Sequence, residues 1–278
     1  MPESDSPSTD SAARKLTRIH LSGFPALLFA AAHEQWEALL REYSLRGMGG
    51  AQQSFAHEEV NRGRQALNLL ADAAQQADRS EADLTLLVDH AGDFAVLQAV
   101  LHDARRLSIS GELLTVPTLP EIAALRNWFC EEVPAQAAGA APTPWRPGLI
   151  HDDPDGPPTP EWDPSVVPGP EVAWVMGDDH NRIVDASPAA LNLLGWSHEL
   201  VGQRLLAIIP HELREAHIAG FMRSVVSGEG ALLGTPLPLP ALSADGAAVA
   251  IWLTLTRHQA HKGRHVYLGV LTARDEGA

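Results

Sequence analysis

Residues 171–196 read EVAWVMGDDHNRIVDASPAALNLLGW, which combines two strand patterns with a tight polar turn and a helix start. The apolar run Val172–Met176 is typical of a buried strand, and residues 177–182 form a turn of residue types that tolerate positive φ. Residues 183–185 predict a second strand that pairs back on the first. Ser187-Pro188 then gives an N-cap and a first helical turn, and Gly195 ends the short helix.

The segment that follows predicts one longer helix and three more strands. The helix begins at Pro210 and ends at Gly228. The strands are predicted at 237–242, 248–256 and 266–272. Asp245-Gly246 gives a hairpin signal between the first two of them. The order of elements predicts a five-stranded antiparallel sheet with helices on one face.

This ordered series of motifs resembles a PAS domain. The matching motifs are the turn Asp178–Ile183, the helix motif Ala189–Trp196, the turn Glu199–Gly202, the segment Ile208-Ile209-Pro210 and the hairpin at Asp245-Gly246. The resemblance covers residues 170–275 and implies an α+β sensory or interaction domain with a pocket between sheet and helices. Ser187 stands where the family often has Asn, a conservative change for a cap.

One departure from the family concerns the C-terminal motif through which PAS domains commonly transmit their signal. Ala273-Arg274-Asp275 lies where the family commonly has an Asp-Ile-Thr signalling motif. We therefore expect the signal to travel back through the preceding segment of the chain, or sideways to another protein.

The first half of the chain predicts a small α/β regulatory domain at residues 15–133, after a disordered tail at residues 1–14. Its strands are predicted at 18–21, 84–88 and 113–116. Its helices are predicted at 25–46, 55–77, 93–107 and from Thr118 through Trp128. The order distantly resembles regulatory modules of unassigned function in multidomain bacterial signalling proteins.

A proline-rich acidic linker is predicted at residues 134–169. Eleven of the 21 prolines fall between Pro134 and Pro170. Because proline lacks the backbone donor and restricts the residue before it, such a stretch continues neither a helix nor a central strand. We expect a semi-extended, fairly stiff linker.

Composition limits the partners and the compartment. The formal net charge of −15 opposes binding to a phosphate backbone, so nucleic acid is not expected as a direct partner. No segment approaches the ~20 apolar residues of a membrane span. A single cysteine, Cys130, excludes a disulfide framework within the chain and indicates a reducing, cytoplasmic location. It is expected as a small buried residue rather than as a nucleophile.

The motifs favour sensing over catalysis. The first half contains no GxxxxGK[ST] phosphate loop, no GxGxxG after a strand and no GxSxG elbow. We therefore predict a non-enzymatic bacterial signal-transduction protein. Its PAS domain senses a small ligand or mediates protein contacts that regulate a partner.

His217 is the strongest candidate for contact with a ligand. On the predicted helix it lies one turn after Leu213 and one turn before Phe221, beside an inward apolar stripe. Its position resembles that of the haem-ligating histidine in oxygen-sensing PAS proteins. A haem-based gas or redox sensor with His217 as axial ligand is therefore the alternative function. Against haem, a single histidine beside an apolar stripe is commonly structural, and no arginine near Leu237 could act as a distal donor.

Six residues are predicted to line the pocket of the PAS domain: Leu213, His217, Phe221, Leu233, Ile251 and Leu253. Flavin photochemistry of the LOV type needs a reactive cysteine in this domain, and none is present in it. Non-covalent flavin or a small metabolite stays open, and no metal site is assigned.

Trp252 and Thr254 are predicted to form an interface. Because Ile251 and Leu253 take the core face of their strand, alternation sends Trp252 to the outer face. An exposed tryptophan on a sheet suggests a homodimer contact, docking of the first domain or a protein partner. The alternative is a lone exposed aromatic with no partner.

Overall fold

A computed structural model describes residues 16–46, 53–77, 83–146, 148, 153–227 and 233–274 of the chain. The predicted tail at 1–14 lies outside the described residues. The N-terminal half consists, in order, of β1 (Thr17–Leu21), α1 (Ala26–Arg46), α2 (Gln53–Gln76), β2 (Leu84–Val88), α3 (Gly92–Ile109) and α4 (Pro120–Ala137). Strands β1 and β2 pair antiparallel, with Ile19 opposite Leu86.

Aromatic rings form the centre of the N-terminal core. Phe29 and Trp36 on α1 meet Phe129 on α4 edge to face, and Phe94 on α3 meets the same ring with a centroid distance of 6.5 Å. Edge-to-face pairs add about 0.5–1.5 kcal/mol each to the free energy that burial of the rings contributes. This cluster fixes α1, α3 and α4 against each other.

The strand predicted at 113–116 is wrong. Glu42 of α1 accepts the backbone N–H groups of Leu114 and Thr115, at 2.8 and 3.1 Å, and also the Thr115 hydroxyl. Ser108 donates its hydroxyl to the Thr115 carbonyl. Side chains thus satisfy the backbone groups that a β-ladder would use, and the segment forms a bend with Leu114 exposed.

Helix α4 continues beyond Trp128 through Pro134 to Ala137, so the first residues of the predicted linker are helical. The side-chain amide of Gln136 holds this last turn on β1. It accepts the His20 N–H at 2.9 Å and donates to the His20 carbonyl at 2.8 Å. A paired tertiary contact of this kind outweighs the helix-breaking tendency of a proline placed one turn from the end.

The C-terminal half forms a five-stranded antiparallel sheet with its helices inserted between the second and third strands. Its elements are β3 (Trp174–Asp178), β4 (Ile183–Ala186), α5 (Pro188–Leu193), α6 (Arg214–Ser227), β5 (Leu237–Leu242), β6 (Ala248–Gln259) and β7 (His265–Ala273). The strand order is β4-β3-β7-β6-β5. This is the architecture that the sequence predicts.

The two faces of the sheet are covered by different parts of the chain. On the inner face, Val175, Ile251 and Leu271 pack with α5 and the turns that follow it. On the outer face, Trp174 and Leu268 pack with residues of the predicted linker, namely Trp162, Val166 and Val167. The linker therefore lies on the sheet as a structural layer.

Both edges of the sheet carry features that oppose pairing with a further strand. Residues 202 and 203 hydrogen bond with Ile183 of β4, at 2.8 Å each. At the opposite edge, β5 reads LPLPAL, and Pro238 and Pro240 supply no N–H to a further strand.

Helix α6 joins the two halves. Its residues Ile218, Ala219 and Met222 belong to the same buried cluster as the N-terminal aromatic core, and α6 packs directly on α1. None of the helices in the described part of the chain is long and apolar enough to cross a membrane.

Candidate functional site

The turn between β3 and β4 is shaped by a buried carboxylate. Asp178 accepts the N–H groups of His180 and Arg182 at 3.0 and 2.9 Å, and Asn181 takes a left-handed φ of 61°. Asparagine is one of the few residue types that adopt this conformation at low cost. The turn thereby places His180 and Asn181 in the interior, where both are buried.

A buried ion pair connects the two halves of the chain beside this turn. Arg204 donates from Nε and Nη2 to the two carboxylate oxygens of Glu121, at 3.0 and 2.6 Å. Each side chain is 5% exposed. Arg204 also donates to the His180 carbonyl, which links α4 to the β3–β4 turn. Planar bidentate contact is the strongest geometry for a guanidinium with a carboxylate.

Asp153 of the linker adds a second connection. Its carboxylate accepts from Arg105 of α3 at 2.7 Å and from His180 Nε2 at 2.8 Å. Although burial opposes ionisation, the His180 hydrogen bond and the Arg105 guanidinium lower the pKa of Asp153 to about 2. Burial lowers the pKa of His180, so its ring is neutral at pH 7 and donates from Nε2.

His217 lies against the same turn. Its Nε2 lies 2.8 Å from Asn181 Oδ1, and its ring stacks on Phe221 at 5.9 Å. Phe221 in turn contacts Tyr267 of β7 at 5.5 Å. Burial and the nearby Arg204 guanidinium lower the pKa of His217 to about 4, so this ring is also neutral at pH 7.

These contacts do not fit a haem ligand. An axial histidine presents a free ring nitrogen to the iron and its ring edge to the porphyrin. His217 instead uses Nε2 to donate to Asn181, and one ring face lies against Phe221. His217 is therefore engaged in packing and hydrogen bonding within the chain.

The predicted pocket residues divide between two regions. Phe221 packs against the core shared with the N-terminal half, whereas Ile251 and Leu253 pack under the sheet with α5. Leu213 lies half-buried in the turn before α6, and half-buried Leu233 bridges to Leu255. The structure thus brings His217 and Phe221 together, and it assigns the two sheet residues to a separate packing cluster.

Trp252 and Thr254 lie on the outer face, as alternation along β6 predicts. Trp252 is 41% exposed and has Pro238 and Thr272 as its neighbours on the adjacent strands. Thr254 lies opposite Val270 and is half-buried. The linker residues that cover part of this face pack around Trp174, and Trp252 is not part of that cluster.

Sequence reasoning missed the charged and polar groups at the contact between the two halves of the chain, here called the junction: Arg105, Glu121, Asp153, His180 and Arg204. Their partners are far away in the chain; Arg204 and Glu121 are separated by 83 residues. A signal was present only at His180 and Asn181, whose residue types mark a turn. No local sequence pattern predicts that a charged residue, a type usually found at the surface, will be buried with a partner.

The arrangement of the sheet, with α5 and α6 inserted between its second and third strands, matches the fold that the sequence motifs imply. The C-terminal domain is PAS-like. Its turn residues, its short helix α5 and its β5–β6 hairpin lie where the motifs predict them, whereas the longer helix, predicted from Pro210, begins at Arg214 after a single tight turn at His211–Leu213. Among the residues that the structure describes, no three His, Cys, Asp or Glu side chains are grouped so as to hold a metal ion.

Comparison with known proteins finds similarity over only part of this chain. No family model matches the chain. An uncharacterized protein of Azorhizobium caulinodans is 31% identical over 97 residues, which cover 34% of this chain and 13% of that protein's length.

The similar solved structures include PAS and LOV domains. A PAS domain from Desulfitobacterium hafniense is 17% identical, with a TM-score of 0.31, and the match covers 37% of this chain and 93% of that one. The PAS domain of the fruit-fly ELK potassium channel is also 17% identical, with a TM-score of 0.30 and coverage of 38% and 88%. A light-oxygen-voltage domain is 23% identical, with a TM-score of 0.32 and coverage of 38% and 79%.

The Arg204–Glu121 pair is expected to show strong coupling. Glu121→Gln leaves a buried guanidinium without its carboxylate and should lower the free energy of unfolding by about 3–5 kcal/mol. The double variant Glu121→Gln/Arg204→Met should lose much less than the sum of the two single losses. Urea denaturation measures each variant. The exposed pair Asp103–Arg106 is the control, where single losses below about 1 kcal/mol are expected; simple additivity at Glu121 and Arg204 would contradict the assignment.

His217 is expected to make the protein less stable in mild acid. Its pKa is about 4 in the folded state and near 6.5 when unfolded, so the unfolded state binds the extra proton between these values. The free energy of unfolding should therefore fall by about 1.4 kcal/mol per pH unit from this one group as the pH drops from 6.5 to 4. His217→Gln should reduce the slope by that amount. His211→Gln, at an exposed position before α6, should leave it unchanged, and an equal slope in both variants would refute this role for His217.

Proposed function

We propose that this chain is a non-enzymatic, cytoplasmic bacterial signalling protein whose PAS domain detects a small ligand or a protein and passes the change to the N-terminal helical domain. The observation that carries this proposal is the position of α6 between the two domains. One side of the helix belongs to the N-terminal core, and another contacts the PAS turn and sheet. A shift of α6 therefore changes packing in both domains.

The PAS side of α6 is where a ligand acts in this proposal. His217 and Phe221 form a stack that bridges Asn181 of the turn and Tyr267 of β7. A ligand that entered between α6 and the sheet would separate this stack. Leu213, Leu233, Ile251 and Leu253 stay proposed ligand contacts, although Ile251 and Leu253 belong to the packing cluster under the sheet.

The side of α6 that faces the N-terminal core is the surface through which this core receives the change. Ile218, Ala219 and Met222 contact the core that also contains Leu28 and Phe29 of α1. Close-packed interiors have low compressibility, so a displaced helix transmits strain to its neighbours. This route runs back along the chain from the PAS domain and needs no helix after β7.

A protein interface at Trp252 and Thr254 is the second part of the proposal. Trp252 lies on the part of the outer face that the linker residues around Trp174 do not cover. Tryptophan is one of the residue types enriched at the energetic centres of protein interfaces. We assign this surface to a homodimer contact. A different protein partner is the competing occupant.

Coupling through α6 is tested by hydrogen exchange of the full chain. Tyr267→Ala removes the ring that supports Phe221 and should speed amide exchange in both α6 and α1 by roughly fivefold, the factor for about 1 kcal/mol. The matched control is Leu268→Ala on the same strand, because Leu268 faces the linker on the opposite side of the sheet. If α1 responds equally to both variants, the proposed route is wrong.

The Trp252 interface is tested by sedimentation velocity. Trp252→Glu places a charge in the contact and should halve the sedimenting mass relative to the parent chain. Thr256→Glu, four residues along the same outer face and also exposed, should leave the mass unchanged. An unchanged mass together with unchanged partner binding for Trp252→Glu would rule out the interface.

A further inference from the structure

An open cleft of about 290 Å³ lies between α3 and α4 of the N-terminal half. None of its lining residues belongs to the junction between the two halves of the chain. It is lined by Ala95, Gln98, Ala99, His102, Arg126 and Asn127. The two alanines leave room between the helices, and every polar residue of the lining carries N–H donors. No acidic side chain is part of this lining.

Arg126 is the unusual residue of the cleft. Its side chain is almost fully buried, and its Nε and Nη2 share one acceptor, Asn127 Oδ1, at 3.2 and 2.8 Å. Its Nη1 is buried and has no hydrogen-bond partner. The guanidinium therefore has one neutral acceptor and one unsatisfied nitrogen.

The other buried arginines of the described residues are paired. Arg105 contacts Asp153 at 2.7 Å, and Arg204 contacts Glu121 at 2.6 Å. No carboxylate of the described residues lies within salt-bridge distance of Arg126. A buried charge without a partner is strongly unfavourable, so proteins normally pair it with an opposite charge.

The neighbours of Arg126 do not supply that charge. Burial raises the pKa of the Cys130 thiol, so this group is neutral and is no counter-ion. Arg105 on α3 adds repulsion, and arginine does not escape by losing its proton. The missing negative charge must come from outside the described residues.

We propose that the cleft binds the carboxylate or phosphoryl group of a small anionic molecule. Arg126 supplies the charge, the side-chain amides of Gln98 and Asn127 supply further donors, and His102 lies at the rim. The overall charge of −15 repels anions in general, so binding here depends on this local unpaired cation. The site is distinct from the PAS pocket and goes beyond the proposed sensing function.

The proposal is tested by thermal unfolding of the full chain at pH 7, with inorganic phosphate and acetate as separate probes. Chloride at equal ionic strength is the reference. We expect one or both probes to raise the unfolding midpoint of the parent chain by roughly 5 °C at about a hundred times Kd. A response to phosphate alone identifies a phosphoryl site, and a response to acetate alone identifies a carboxylate site.

Variants separate a specific site from general salt effects. Arg126→Met should have a higher midpoint than the parent in chloride and should lose the response to the probes. Arg106→Met, an exposed arginine on α3 outside the lining, should keep the full response. An equal response of Arg126→Met and Arg106→Met, or a parent chain that responds to neither probe, overturns the proposal.

A second variant keeps the test decisive if Arg126→Met does not fold. The amide of Gln98 and the Arg126 guanidinium meet at the same Asn127 oxygen, at 3.5 and 2.8 Å. Gln98→Glu therefore adds a carboxylate of the same shape beside the unpaired cation. This variant should be more stable than the parent in chloride and should not respond to either probe; a retained response contradicts the site.

Discussion

The bidentate pair of Arg204 with Glu121 is the interaction on which the arrangement of the two halves of the chain depends. Two charges can leave water without a large penalty only when they meet in good geometry and their remaining groups are also bonded. Arg204 satisfies this requirement through both Glu121 oxygens and the His180 carbonyl. Apolar burial of Ile218, Ala219 and Met222 on α6 also stabilises the contact, but it is non-directional. The ion pair restricts the domains to one orientation, because any rotation would separate the charges.

The linker also holds the structure together, through hydrogen bonds to the C-terminal half of the chain. Its backbone carbonyls at Pro157 and Pro158 accept from Arg182 and Arg264 of the PAS-like domain, at 2.8 and 3.0 Å. Proline contributes no donor, so a proline-rich segment presents acceptors, and arginines are suitable partners for them. Composition therefore explains the contacts that this segment makes with the arginines of the C-terminal half. What composition does not indicate is that the segment covers a buried face.

The sequence predicted the strands and turns of the PAS-like domain, because each depends on local rules. Alternation along β6 placed Trp252 on the outer face, and the residue types at 177–182 anticipated the left-handed Asn181. It did not predict which way α6 faces or that Arg204 would be buried, since both depend on partners from the other half of the chain. The strand predicted at 113–116 was wrong for a similar reason. The β-propensity of Leu-Leu-Thr-Val is real, but Glu42 of α1 captures its donors.

The edges of the sheet limit how this protein meets others. Pro238 and Pro240 deprive the outermost strand of donors on its free side, and the opposite border is occupied by the chain's own backbone at residues 202 and 203. The prolines of β5 and the backbone that occupies the Ile183 end of β4 therefore oppose strand addition by an extended peptide and the edge-to-edge stacking that leads to amyloid-like fibres. These edge features favour contact with other proteins through side chains on the faces of the sheet.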